Sequence, residues 1–165
     1  MDKKIIFFDI DGTIYNPEIG ITTKTLEAIK LLKQRGHIIF IATGRPMAMG
    51  IKEFLDIGFD GVNAACGTYI ICNDKVMLNQ ELSQSVIRET IEMFERYTID
   101  AIFEGESNIY YNTKLEKSEF LTRLNTFKLI PWQKSEILAN KISVKVNDRQ
   151  AFNKTLNVVK KISNN

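Results

Sequence analysis

The sequence predicts an α/β fold: a partial parallel sheet followed by an α+β module. Three observations carry this. Apolar strands alternate with helix-period stretches as far as Ala64. The first apolar run ends in Asp9-Ile10-Asp11-Gly12-Thr13, two carboxylates and a turn. After Cys66 the pattern changes to hairpins separated by polar turns.

The elements follow in order. Five of the six residues Ile5–Ile10 are apolar, the composition of a central strand covered on both faces. Thr22 or Thr23 can cap a helix carrying Leu26, Ile29 and Leu32, with Arg35 in its last turn and Gly36 as its stop. His37–Ala42 reads as a second buried strand, a short helix follows with Ile51, Phe54 and Leu55, and a third strand lies near Phe59–Ala64. Strands joined through helices at this spacing imply right-handed crossovers and a parallel sheet. Beyond it, Tyr69–Cys72 and Lys75–Leu78 flank Asn73-Asp74 as a hairpin, and a helix from about Ser83 to Tyr97 aligns Ile87, Ile91 and Phe94. Ile99–Phe103 and Ile109–Tyr111 form a second hairpin around Gly105–Asn108, and Lys114–Leu124 is expected to be helical. Ile142, Val144 and Val146 alternate as a strand, and Asp148 can cap a last helix bearing Phe152, Leu156 and Val159. The expected division is 1–64 for the sheet core and 65–165 for the second module.

At 165 residues, 44% hydrophobic and 25% charged, the composition is that of an ordinary globular protein. A net charge of +2 is too even to predict nucleic acid or a membrane surface as partner. No apolar run approaches a membrane span, and Asp9 and Asp11 break the only N-terminal run that could imitate a signal peptide. Cys66 and Cys72 have neither a metal nor a redox spacing, so they read as reduced thiols of a cytoplasmic protein.

An acid at the end of a buried strand is costly unless a charged or polar group meets it. Two acids one residue apart, followed by Gly-Thr, suggest a hard cation with an anionic substrate beside it, at the carboxyl edge where open parallel sheets bind ligands. Asp9-Ile10-Asp11-Gly12-Thr13 after the first strand, together with Ala42-Thr43-Gly44-Arg45-Pro46 after the second, resembles the haloacid dehalogenase superfamily of phosphatases. Within it the chain resembles the Cof-type subfamily. The resemblance implies a Rossmann-like core, present here in part, with an α+β cap inserted after the third strand.

The resemblance further implies a Mg2+-dependent phosphatase acting on a small phosphorylated metabolite such as a sugar phosphate. Asp9, ionised at neutral pH, would attack phosphorus and form an aspartyl phosphate. Asp11 would protonate the leaving oxygen and later activate water. Gly12 lets the backbone turn sharply and approach the phosphate. Mg2+ would rest on the Asp9 carboxylate and the Asp11 carbonyl. Thr43 would offer a hydroxyl and Gly44 an amide to the phosphoryl oxygens, while Arg45 either contacts substrate or pairs with an acid.

Other readings weigh against these. An Asp-x-Asp-Gly run can be a plain turn, which the buried-strand context disfavours. A calcium loop fails because Gly20 stands where its bidentate Glu belongs. His37 reads as structural and Trp132 as core of the second module. Glu104, Glu106 and Arg123 could face a substrate, but solvated surface is the simpler expectation. Cys66 takes the place of an Asn that the family usually carries, so no polar role transfers to it.

The family also supplies a lysine and a Gly-Asp-x-x-x-Asp-type segment after its cap, and no such segment follows in this sequence. Electrostatic groups of this kind are worth about 3–4 kcal/mol each, so lacking two or three would cost roughly five to nine orders of magnitude in rate. An alternative expectation is therefore a catalytically incompetent phosphate-binding or interaction module. The first strand would also lie at a sheet edge, and an edge invites pairing, a homodimer through the exposed core edge being one form.

Overall fold

A computed structural model describes residues 2–112, 124, 126–146 and 148–162. They divide into two compact units, Met1–Gln80 and Glu81–Asn165.

The first unit contains β1 (Ile5–Phe8), α1 (Thr23–Gln34), β2 (Ile38–Ala42), α2 (Ile51–Leu55), β3 (Gly61–Ala64), β4 (Tyr69–Cys72) and β5 (Lys75–Asn79). They form one sheet in the order β1-β2-β3-β4-β5, parallel through β3 and antiparallel beyond it. The expected α1 forms from Thr23: the Thr22 hydroxyl accepts the Thr25 amide at 3.2 Å. Right-handed crossovers in the order β1-β2-β3 put α1 and α2 on one face. There Ile29, Ile51 and Phe54 pack with Ile39, Ile41 and Val62, and with the half-buried Ile6 and Phe8.

Two expectations change here. The first strand reads as covered on both faces, but among the described residues Ile5 (61%) and Phe7 (59%) on one face of β1 are largely exposed, while its place at the sheet edge is the expected one. Both helices lie over the other face. The hairpin β4–β5, grouped by its sequence with the second module, instead pairs on β3, so the first unit runs to Gln80. Its turn places Asn73 and Asp74 at φ 47° and 60°, the left-handed pair that two-residue hairpins need. Gly61 makes the β3–β4 pairing possible: a Cβ there would stand 2.2 Å from the Ile71 carbonyl oxygen and 2.6 Å from the Phe40 ring.

Asp60, just before β3, ties the sheet to α1. Its carboxylate pairs with Lys33 and accepts the Ile39 amide at 2.8 Å. Burial alone would raise this carboxyl, but the lysine and the amide outweigh it and hold it below the ordinary carboxylate value. A depressed carboxyl stabilises the fold above its unfolded-state pKa, and that contribution disappears as pH falls through the folded value. Urea midpoints should therefore drop steeply below about pH 4, and Asp60→Asn should flatten that acid limb while lowering stability at neutral pH. An unchanged pH profile in the variant would refute the assignment.

The second unit contains α3 (Gln84–Tyr97), β6 (Ala101–Glu104), β7 (Ile109–Tyr111), β8 (Leu129–Pro131), β9 (Lys141–Val144) and a last helix, Arg149–Ile162. Its sheet order is β8-β7-β6-β9, with β8 parallel to β7 and the other pairs antiparallel. Asp148 caps the last helix as expected, accepting the Ala151 amide at 2.8 Å, and Ser83, where the other helix is expected to begin, caps it by accepting the Val86 amide at 3.3 Å. Ile87, Phe103, Tyr110 and Trp132 form the core, the Trp132 ring edge-on to Phe103 at 5.6 Å. β8 has no counterpart in the sequence reading; three residues ending in Pro131 show no usable period. The expected helix over 114–124 lies outside the described residues but for Leu124, as does Arg123. Among the described residues no helix is long and apolar enough to cross a membrane.

Candidate active site

β1 ends at Phe8, and the chain then reverses around Ile10. Ile10 is fully buried, and its carbonyl accepts the amides of Thr13, Ile14 and Tyr15 at 3.2, 3.1 and 3.0 Å. This buried anchor leaves Asp9 and Asp11 exposed on either side of it. Gly12 adopts φ 77°, a conformation costly for a residue with a Cβ, and its amide closes the turn on the Tyr15 carbonyl at 3.0 Å. The Asp11 carbonyl accepts none of these bonds.

β2 runs parallel to β1, with Phe8 opposite Ile41, so the Thr43–Arg45 loop leaves the sheet at the same end as Asp9. Thr43 is buried (7% exposed), and its hydroxyl oxygen accepts the Arg45 amide at 3.1 Å. That bond leaves the hydroxyl proton available for donation. Gly44 is exposed.

Arg45 joins the two loops. Its Nε donates to Asp11 Oδ2 at 2.8 Å and its Nη2 to Oδ1 at 2.5 Å, a bidentate pair. The guanidinium lies over the rings of Tyr15 (5.4 Å) and Phe54 (5.5 Å), which meet edge-to-face at 5.6 Å. Donating to the Asp11 carboxylate raises the Arg45 pKa above the ordinary value against the cost of burial, with Asp9 adding to the field.

A third loop, after β3, closes the group. The Ala65 amide donates to the Arg45 carbonyl at 2.8 Å, and the Cys66 amide to the Thr43 carbonyl at 3.3 Å. Ala65 and Cys66 adopt φ 49° and 58°, a left-handed pair of non-glycine residues costing of order 1–2 kcal/mol each. A Cβ on Gly44 would meet the Cys66 sulfur at 3.6 Å.

The structure thus gathers Asp11, Gly12, Thr43, Gly44 and Arg45 through their loops. The Asp9 side chain makes no hydrogen bond among the described residues. Glu104 lies elsewhere: it is 2% exposed within the second unit and paired with Lys141 at 2.6 Å, a correction to its expected solvation. Glu106 is exposed, as expected. His37 takes a structural part, its Nδ1 accepting the Lys4 amide at 3.3 Å. Sequence reasoning gave Tyr15 no role at the site. It read Phe54 only as part of a helix face, because nothing in the spacing brings either ring to Arg45.

The sequence profile of the haloacid dehalogenase-like hydrolases matches residues 6–164. The chain is 30% identical over 110 residues to YkrA of Bacillus subtilis (strain 168), provisionally named a phosphatase, with 66% of this chain and 42% of that protein covered. It is 28% identical over 127 residues to the 5-amino-6-(5-phospho-D-ribitylamino)uracil phosphatase YwtE of the same organism, covering 70% of this chain and 44% of YwtE. Its fold superposes on a haloacid dehalogenase subclass IIB sugar phosphatase with a TM-score of 0.73 at 23% identity, over 98% of this chain and 64% of the other. The chain spans a little under half the length of the two curated relatives. A profile match across nearly every residue shows that the chain belongs to the haloacid dehalogenase-like hydrolases.

Proposed function

We propose that this protein works as a Mg2+-dependent phosphatase on phosphomonoesters of small metabolites, by way of an aspartyl phosphate. The observation that supports it best is the juxtaposition of three elements at one sheet end: an exposed, unbonded Asp9, an Asp11 held bidentately by Arg45, and a Thr43 hydroxyl with a proton to donate.

Asp9 attacks phosphorus as the bond to the leaving oxygen breaks, and Asp11 gives that oxygen a proton. Water then attacks the aspartyl phosphate, Asp11 takes its proton, and phosphate leaves with Asp9 regenerated. The Arg45 pair suits the second step, in which Asp11 must be a base. For the first step Asp11 must carry a proton, so Arg45 has to release at least one carboxylate oxygen. The Thr43 hydroxyl and the Gly44 amide bind the phosphoryl oxygens.

The donors fit a hard cation. The Asp9 carboxylate and the uncommitted Asp11 carbonyl would hold Mg2+, which binds through few protein oxygens plus substrate phosphate and would offset the phosphate charge. The names of YwtE and of the subclass IIB neighbour support phosphorylated, sugar-like substrates. The second unit is read as the cap that selects among them, and Cys66 and Cys72, both free, agree with a reducing, cytoplasmic setting.

Saturable turnover of p-nitrophenyl phosphate that requires Mg2+ is the expected result. Saturable binding of inorganic phosphate without turnover in any divalent metal would overturn the catalytic reading.

A further inference from the structure

Both described hydrogen bonds to the Asp11 carboxylate come from Arg45. Two parallel N–H···O bonds fix the plane of a carboxylate as well as its place. Yet the Asp11 side chain is 55% exposed. At such exposure an ion pair gains little, because holding two mobile side chains in one geometry offsets most of the attraction. The pair can orient Asp11 only if the guanidinium is held independently of it.

Two rings hold it. The guanidinium carbon lies 5.4 Å from the centre of the Tyr15 ring and 5.5 Å from that of Phe54, and the rings meet at 85°. Phe54 is buried in the core of the first unit, and the half-buried Tyr15 packs on the same core. The main chain of Arg45 is also tied on both sides, its amide to the Thr43 hydroxyl and its carbonyl to the Ala65 amide. Tyr15 closes the Asp11 turn as well: its carbonyl accepts the Gly12 amide and its amide donates to the Ile10 carbonyl, both at 3.0 Å. One residue thus belongs to the loop that carries Asp11 and to the clamp on its partner.

We propose that Tyr15 and Phe54 are positioning residues: their rings hold the Arg45 guanidinium, and through it they fix the orientation of the Asp11 carboxylate before substrate arrives. The kinetic consequence rests on the phosphatase reading above; the clamp itself does not. Ring chemistry separates this role from plain packing, since an aliphatic side chain fills the space but offers a cation no negative face.

Solvent exchange of the Arg45 Nε–H proton, followed by nitrogen-resolved NMR and assigned by its loss in Arg45→Lys, reads the clamp without any turnover. Tyr15→Leu should speed that exchange roughly five- to tenfold, the worth of one cation–ring contact. Tyr15→Phe, the conservative variant, should hold the wild-type rate, and Phe54→Leu should act as Tyr15→Leu does. Pentafluorophenylalanine at position 15 keeps the ring shape without its negative face, so it should match Tyr15→Leu and serves if that variant fails to fold. With p-nitrophenyl phosphate, Tyr15→Leu should lower kcat roughly ten- to a hundredfold while KM stays within about twofold, and Tyr15→Phe should restore the rate. Unchanged Nε–H exchange in Tyr15→Leu or the fluorinated protein would overturn the proposal. So would a raised KM with kcat intact, which would put Arg45 on the substrate. A wild-type chain without turnover sinks the phosphatase reading instead, and the exchange rates then decide the clamp alone.

Discussion

Asp9→Asn is expected to lower kcat for p-nitrophenyl phosphate by roughly four to six orders of magnitude, the scale seen when a covalent nucleophile is removed. The amide has no charge to form a bond with phosphorus and is a poor oxygen donor for Mg2+. The structure makes this a clean experiment. Asp9 is exposed and its side chain bonds to nothing described, so thermal melting of the variant should match that of the parent. Loss of rate without loss of stability separates a nucleophile from a structural acid. Turnover within about tenfold of wild type would show that Asp9 does not attack phosphorus.

Lys141→Met should destabilise the second unit by about 3 kcal/mol, read as a fall in the urea midpoint of a probe such as Trp132 fluorescence. Glu104 and Lys141 lie directly opposite each other on β6 and β9. The Glu104 carboxylate is 2% exposed, and its Oε2 lies 2.6 Å from the lysine nitrogen, without well-aligned hydrogen-bond geometry. Removing the lysine strands a buried charge. Glu104→Gln in the Lys141→Met background should recover much of the loss, since an amide needs no counter-ion. If Lys141→Met melts like the parent, the pair does not support the fold.

The predicted helix starts proved accurate at Thr22, Ser83 and Asp148, because a capping oxygen acts on amides within three residues and needs no tertiary context. The parallel order of β1, β2 and β3 was legible for a related reason: right-handed crossovers leave few ways to connect three strands through two helices. The boundary near residue 64 was not, because an antiparallel hairpin carries no mark of the sheet it will join. β4 reached β3 through the close approach at Gly61, which no pattern of apolar residues announces. Glu104 was misread for the same kind of reason. A carboxylate looks solvent-facing until the strand opposite supplies a lysine, and that pairing links residues far apart in the chain.

By itself the sequence determined which residues end the two apolar strands. Asp9, Asp11 and Gly12 close one apolar strand, and Thr43, Gly44 and Arg45 the next; the local turn chemistry of each motif needs only its own neighbours. The tertiary structure alone decided how those parts are held. Parallel pairing of β1 with β2 set the two strand ends side by side, so that Arg45 could grip Asp11 while Tyr15 and Phe54 enclosed its guanidinium. It also decided that, among the described residues, one face of the first strand would leave Ile5 and Phe7 in the open. Hydrophobic pattern specifies which residues seek cover, but where two helices can lie is set by the handedness of the crossovers, and both fell on one face.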